Sequence, residues 1–318
     1  MVSVVVLTYN HEKYIKQALD SILMQKVNFD YEILIGDDAS SDSTVKILEE
    51  YQNKYPNVIK LFLNKTNLGA TQNAYNVLMN VKGRYLATCE GDDYWTDVNK
   101  LQIQVDYLEK NKDLVGCSHY FTVVDETGNP YKKYIEWVKV KEIFTLKDFE
   151  GIYLPGQPST FLRRNLILNN KINLNYLITT HRMIGDRTLM LLWLMNGDFG
   201  LIKEYMSAYR IDLEKKESIT GKLYRNKIES IYLDYTITKK LENICRKYNK
   251  KVSFSKFKKI IFAKAVYFWI LSKFNDDSFK CIKYILQDRN YNFLFIIYTP
   301  YYYLIRLIRK FFRKRIYI

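Results

Sequence analysis

Three carboxylates fall within four residues of "TCEGDDYW" (residues 88–95): Glu90, Asp92 and Asp93. They follow the apolar run "RYLA", so the chain leaves a strand and enters an acidic turn. Like charges this close repel, and a bound hard cation offsets the repulsion. Mg²⁺ and Mn²⁺ take carboxylate oxygens and are commonly shared with substrate phosphates. Gly91 eases a tight turn in which two neighbouring acids converge. Taken alone, the pair also fits an acidic turn on a solvated surface. Further along, Asp186 in "MIGDRTLMLLW" opens a helical pattern. An acid there stabilises the free N–H groups of the first turn, and while ionised it can also accept a proton. The residues alone leave both roles open. Asp198 in "NGDF" comes after that helix and reads as a turn residue.

These acids need a frame, and the first part of the chain supplies one. "VSVVVLT", "YEILIG", "NVIKLFL" and "RYLATC" read as strands. Between them lie helical patterns: Ile15, Ala18, Leu19, Ile22 and Leu23 on one face, then a helix capped by Ser43, then Ala70 to Val81. "NKLQIQVDYLEKN" follows as a fourth helix. Four alternations predict an α/β fold, a mostly parallel Rossmann-type sheet flanked by helices. Ligands of such sheets sit beyond the carboxyl ends of the strands. Thr8 and Asn10, Asp37 and Asp38, and the Glu90–Asp93 turn all stand at such ends. After about residue 114 the pattern shifts to strands joined by "TGNP" and a Pro/Gly-rich loop leading to "STFLRR".

The quoted segments "VSVVVLTYNHEKYIKQALDSILMQ", "YEILIGDDASSDST", "NLGATQNAYN" and "GRYLATCEGDDYW", in this order, resemble glycosyltransferase family 2. These are inverting nucleotide-sugar transferases of the GT-A fold, and the resemblance covers roughly residues 1–220. It implies that Thr8, Tyr9, Asn10, Glu12, Asp38, Asn67, Asn73 and Asp92 line the donor nucleotide, with Asp38 on a uracil-type base. It implies that Asp92 and Asp93 bind a divalent cation, Mn²⁺ or Mg²⁺, on the diphosphate. Glu90 stands where many relatives carry the first acid of this motif, to ligate or to brace the turn. Asp186 matches the general base, which takes the acceptor's proton in an in-line displacement at the anomeric carbon. "YRIDLEKKESIT" resembles the segment that closes over the diphosphate. Tyr209 and Arg210 match it, whereas Asp212 stands in place of the usual His. Arg210, Trp95, His181 and Glu90 are the expected diphosphate or acceptor contacts; Tyr94 and Trp95 either wall a sugar site or pack their loop. His11 is a candidate to pack on the base, and His119 reads as structural.

Charge divides the chain. Of the net +15, Lys251 onward carries +12, from fifteen Lys and Arg against three Asp and Glu. The expected domains are a catalytic one over 1–220 and a helical, basic region over 221–318. In "YYYLIRLIRKFFRKRIYI" the apolar residues Leu304, Ile305, Leu307, Ile308, Phe311 and Phe312 share one helical arc, opposite Arg306, Arg309, Lys310 and Arg313. This predicts an amphipathic helix near 300–315 lying on an anionic membrane. "FSKFKKIIFAKAVYFWILSKF" is either a second interfacial helix or one that packs on protein. The four cysteines form no C-x-x-C pair and the N-terminus lacks a basic leader, so a reducing, cytoplasmic setting at the inner face of the cell membrane is expected. The implied partners are a nucleotide-sugar donor, a glycan or lipid-linked glycan acceptor and possible copies of the chain itself. Nucleic acid is not expected, because the acidic strand ends repel its backbone. The alternatives are a sugar nucleotidyltransferase, although "TYNHEKY" lacks a glycine-rich phosphate loop, and a basic binding module without catalysis.

Overall fold

The β-branched run of β1 (Val2–Thr8) is buried along almost its whole length, as expected of a strand covered on both faces. The computed structural model describes residues 1–132, 135–212, 226–250, 252, 254–271 and 276–286. The chain divides into two compact units, Met1–Glu214 and Lys215–Ile318.

In the first unit, strand and helix alternate as the periodicities predict: α1 (Ile15–Leu23), β2 (Tyr31–Asp37), α2 (Thr44–Lys54), β3 (Ile59–Leu63), α3 (Ala70–Leu78) and β4 (Tyr85–Glu90). The apolar stripe of α1 places Ile15, Ala18, Leu19 and Ile22 in the core. Ser43 makes no side-chain cap on α2. Asp42 takes that task, its Oδ1 accepting the Thr44 N–H at 3.0 Å. Next come β5 (Tyr94–Trp95), α4 (Lys100–Lys110), β6 (Leu114–Val124), β7 (Ile143–Phe144), α5 (Leu146–Phe149), β8 (Leu162–Arg164), α6 (Asn175–Thr180), α7 (Asp186–Leu194) and β9 (Asp198–Arg210).

The sheet has nine strands in the order β3-β2-β1-β4-β8-β6-β9-β5, with β7 beside β9. The first four are mutually parallel. Beyond β4 the sheet is mixed: β8 runs antiparallel to both β4 and β6, while β6 and β9 pair in parallel. Its carboxyl edge at β1, β2 and β4 gathers the polar residues singled out above.

The second unit is helical where described: α8 (Lys227–Lys247), α9 (Ser255–Leu271) and α10 (Asp276–Leu286). Asn226 caps α8, its side chain accepting the Ile228 and Glu229 N–H groups. Helix α9 packs against α8 and α10, burying Phe257, Ile261 and Phe262. Lys258 reaches Glu242 at 3.1 Å as a buried ion pair, and Glu242 also accepts the Phe254 N–H. Among the described residues no helix is long and apolar enough to cross a membrane. The amphipathic segment expected near 300–315 lies outside them.

Candidate active site

The loops leaving β1 and β2 are fastened to each other. Asn10 adopts φ +56°, a region Asn tolerates better than most residues. Its N–H donates to Ser40 Oγ at 2.8 Å, and its Oδ1 accepts the Ser41 N–H at 2.8 Å. Glu12 repeats the pattern: its N–H donates to Asp42 at 3.1 Å and its Oε2 accepts from Ser43 at 2.9 Å. Asp37 accepts both the N–H and the hydroxyl of Ser40. Asp38 is only 4% exposed, and its carboxylate takes the Leu68 and Gly69 N–H groups at 2.8 Å each and the Asn64 amide at 3.1 Å. Gly69 is required there, with φ +94° and no room for a Cβ against Arg182.

The acidic turn packs directly against the end of β1. A Cβ on Gly91 would fall 2.7 Å from His11 Nδ1 and 2.9 Å from Thr8 Cβ. Its two aspartates part company. The Asp92 side chain is 40% exposed, and His11 Nε2 stands 4.0 Å from its Oδ2. Asp93 is 1% exposed; its Oδ1 accepts the Arg210 N–H at 2.9 Å and its Oδ2 the Ser159 hydroxyl at 2.7 Å. Burial, with Asp92 beside it, holds the Asp93 carboxyl well above the usual carboxylate range.

Asp186 is the first residue of α7, and its Oδ1 accepts the Arg187 N–H at 2.8 Å. Burial raises its pKa, while the Arg187 N–H, the Arg187 charge and the Arg163 charge pull it back. Glu90 is pushed up to about 8, by burial first, then by Asp92 and Asp186. Tyr209 on β9 is raised as well, by burial and then by Asp93, Asp92, Asp186 and Glu90. These mutual effects place Asp186 in one electrostatic neighbourhood with the acidic turn.

Several expected contacts become scaffold. Asn73 is 2% exposed; its Nδ2 donates to the Gly36 carbonyl and its Oδ1 accepts from Asn64, so it supports the sheet edge instead of lining a ligand. Trp95 is 1% exposed, with its indole N–H on the Ser159 carbonyl and Lys100 Nζ 4.0 Å above its ring; it packs the loop and offers no sugar wall. Arg210 spends its guanidinium inside the protein, on the carbonyls of Asp92, Asp125 and Glu126 and on Gln17 Oε1. It lies 4.5 Å from the Tyr14 ring centre and braces the acidic turn. His181 Nδ1 accepts the Met183 and Ile184 N–H groups, shaping the approach to Asp186. Asn67 donates to the Asp38 carbonyl and accepts from Arg182. Tyr9 is exposed. His119 is buried, and burial lowers its pKa, as suits a structural histidine. Asp212 is half-buried just past β9, while Lys215 and Lys216 lie outside the described residues. Sequence reasoning missed Arg163, Ser159 and Gln17. Their segments carry no local signal, since the two adjacent arginines of "STFLRR" read as solvated charge.

Among the described residues, no three His, Cys, Asp or Glu side chains converge as a ready metal cage. A cation shared with substrate phosphates needs only one or two protein carboxylates. Asp92 fits that need: its side chain is 40% exposed and, among the described residues, its carboxylate accepts no hydrogen bond. Nearby, Thr8 Oγ1 and His11 Nδ1 are buried without a partner among the described residues.

Comparison with known proteins follows the same lines. The profile described as "Glycosyl transferase family 2" matches residues 3–169. An uncharacterized protein of Mycobacterium tuberculosis is 44% identical over 126 residues, 40% of this chain and 36% of that protein. The match thus spans about a third of that relative's length. Staphylococcus aureus TarS 1-349, solved with UDP-GlcNAc, superposes with a TM-score of 0.61 at 18% identity, covering 90% of this chain and 80% of that one. The mannosyltransferase PcManGT of Pyrobaculum calidifontis, solved with GDP-Man and Mn²⁺, gives 0.53 at 14% identity, covering 96% and 80%. The fold is therefore GT-A-like.

Proposed function

The chain belongs to glycosyltransferase family 2, and on that premise we propose that it is a metal-dependent, inverting transferase moving a sugar from a nucleoside-diphosphate donor to a glycan hydroxyl. An exposed Asp92 in the acidic turn, with Asp186 at the head of α7 acting electrostatically on the neighbouring Glu90, supports this reading. Asp92 is the residue that would hold a divalent cation at the diphosphate end of the donor. When bound, that cation would offset the charge gathering on the leaving diphosphate. The nucleoside lies over the ends of β1 and β2, near Tyr9, Asn10 and Asp38.

Asp186 accepts the proton of the acceptor hydroxyl. That oxygen bonds to the anomeric carbon from the opposite face as the carbon–phosphate oxygen bond breaks. The bonding pair leaves with the nucleoside diphosphate, and the sugar inverts. Asp93 does not touch substrate; it fixes the turn so that Asp92 faces the donor.

A uridine-diphosphate sugar is the donor class to test first, since the TarS neighbour was solved with UDP-GlcNAc. Asp186→Asn is expected to lower turnover by about 10²–10⁴-fold while UDP binding in Mn²⁺ persists. Asp92→Ala is expected to lose the Mn²⁺-dependent part of UDP affinity in calorimetry. Normal turnover in the first variant removes Asp186 as base, and unchanged affinity in the second moves the metal elsewhere.

The basic tail supports a second element of the proposal, a peripheral seat on an anionic membrane that keeps the enzyme beside a lipid-linked acceptor. Full-length chain should float with anionic liposomes, and chain lacking residues 300–318 should not. Equal recovery of both in the soluble fraction overturns this element.

A further inference from the structure

The loop between β3 and α3 is gripped from two sides. Its Leu68 and Gly69 N–H groups both donate to the Asp38 carboxylate at 2.8 Å, and the Asn67 amide donates to the Asp38 carbonyl at 3.3 Å. The acceptors of the same loop turn the other way, to Arg182. Its Nε donates to the Leu68 carbonyl at 3.1 Å, and its Nη2 reaches the Asn67 carbonyl at 2.8 Å and Asn67 Oδ1 at 3.1 Å. A planar guanidinium makes such a fork, and an ammonium does not. The backbone of Arg182 joins in. Its carbonyl accepts the Thr71 N–H at 3.1 Å and the Thr71 hydroxyl at 2.8 Å. Thr71 lies in the first turn of α3, so this carbonyl satisfies one of the N–H groups that a helix start leaves without an intrahelical partner.

Arg182 belongs to the short segment 181–185 that joins α6 to α7 and ends at Asp186. The segment is tight as well as tethered. His181 Nδ1 accepts the Met183 and Ile184 N–H groups at 3.1 Å each. A Cβ on Gly69 would fall 2.5 Å from Arg182 Cγ, and one on Gly185 would fall 3.0 Å from Thr71 Cγ2, so two glycines let the loops pack in direct contact. An unbroken path of hydrogen bonds therefore runs from Asp38 through Asn67 and Leu68 to Arg182, whose own backbone leads into the head of α7.

We propose that Arg182 is a positioning residue of the transfer reaction: it straps the segment leading to Asp186 onto the loop that holds Asp38, so that a bound nucleotide also steadies the base. The inference rests on the proposed function, in which the nucleoside lies near Asp38 and Asp186 takes the proton. A misplacement of about 1 Å can cost roughly a hundredfold in rate, so a strap this close to the base bears on turnover. The acceptors of the fork are neutral oxygens, so its shape and not its charge does the holding.

Hydrogen exchange of the full-length chain, read by mass spectrometry with UDP and Mn²⁺ as the probe, tests this. In the unaltered chain, saturating UDP and Mn²⁺ are expected to slow exchange of the 183–188 amides by about tenfold or more, because opening of the segment then works against the bound ligand. In Arg182→Met and in Arg182→Lys the slowing is expected to shrink to about twofold or less, with UDP affinity in calorimetry within about threefold of the unaltered value. The side chain is exposed, so both variants should fold, and unchanged exchange in β1 to β4 verifies it. Slowing retained in Arg182→Met overturns the proposal, as does its absence in an unaltered chain that binds UDP. Full slowing in Arg182→Lys with loss in Arg182→Met also overturns it, since charge alone would then suffice. A UDP affinity lowered more than about tenfold in Arg182→Met makes the side chain a phosphate contact and ends the positioning role. Failure of both variants to fold makes Arg182 a structural residue and overturns it as well. If the unaltered chain binds neither UDP nor GDP, the nucleotide reading itself falls, and this inference with it.

Discussion

On the β1–β2 side of the site, Asn10, Glu12, Asp37 and Asp38 give their side-chain oxygens to backbone or side-chain donors of the neighbouring loops. Around the acidic turn the situation is reversed. Among the described residues, Thr8 Oγ1 and His11 Nδ1 are buried without a partner, and the accessible Asp92 carboxylate has His11 Nε2 at 4.0 Å. Native proteins rarely leave buried polar atoms unbonded, and such atoms gather where a ligand or a reaction completes them. In the proposed function the first side serves as a rigid rest for the nucleotide, and the second is the polar surface that the substrate completes.

The largest effect that would break this comparison lies inside the acidic turn itself. Asp93→Ala leaves the Ser159 hydroxyl and the Arg210 N–H without their acceptor. At about 1–3 kcal/mol per orphaned donor, urea denaturation should show a loss of roughly 2–6 kcal/mol. Asp92→Ala should change stability by less than about 0.5 kcal/mol, as at an ordinary surface site. Similar losses in both would mean that the two acids are not divided between frame and ligand.

Lys100 sharpens the contrast from beneath. It is fully buried against Trp95 and Gln104, and burial lowers its pKa to about 7. An unfolded lysine holds its proton up to about pH 10. Between these values the unfolded chain binds more protons than the folded one, so the lysine's contribution to stability rises with pH. The slope reaches about 1.4 kcal/mol per pH unit. Below pH 7 folding carries the full burden of the buried charge. Lys100→Met should remove this slope in denaturation curves measured at pH 7 and 9. A parallel rise in both proteins would assign the slope to other groups.

The smallest effect tests the nucleotide side. Ala39, between Asp38 and Ser40, has φ +64°, a left-handed conformation costing a β-carbon residue about 1–2 kcal/mol. Ala39→Gly removes that strain but adds flexibility to the unfolded chain, leaving a net gain under about 1 kcal/mol. A melting temperature that falls instead would show that Ala39 contributes packing to this rest.

Much of the frame was legible because hydrophobic period alone carries it. The four parallel strands of β1 to β4 and the stripe of α1 follow from buried β-branched runs and i, i+3, i+4 spacing. The site was legible in composition and not in orientation. Asp92 and Asp93 are adjacent and identical in type, and only the tertiary positions of Ser159 and Arg210 decide which one turns inward. Trp95 and Arg210 belong to segments that carry the family resemblance, but the polar groups that occupy them come from Lys100, Ser159, Gln17 and the turn after β6. Arg163 was hidden for the opposite reason. An arginine beside another in "LRR" looks like solvated charge until the sheet assigns one of them to a covered face.

The anchoring of Asp93 sets an order of assembly. Its two partners lie 66 and 117 residues further along the chain, and the second is the last residue of β9. During synthesis, the acidic turn therefore emerges long before anything can hold it. A nascent chain that has made the first four strands already holds the β1 and β2 loops but not yet the groups that fix Asp93. The turn gains its second anchor only when β9 has paired with β6.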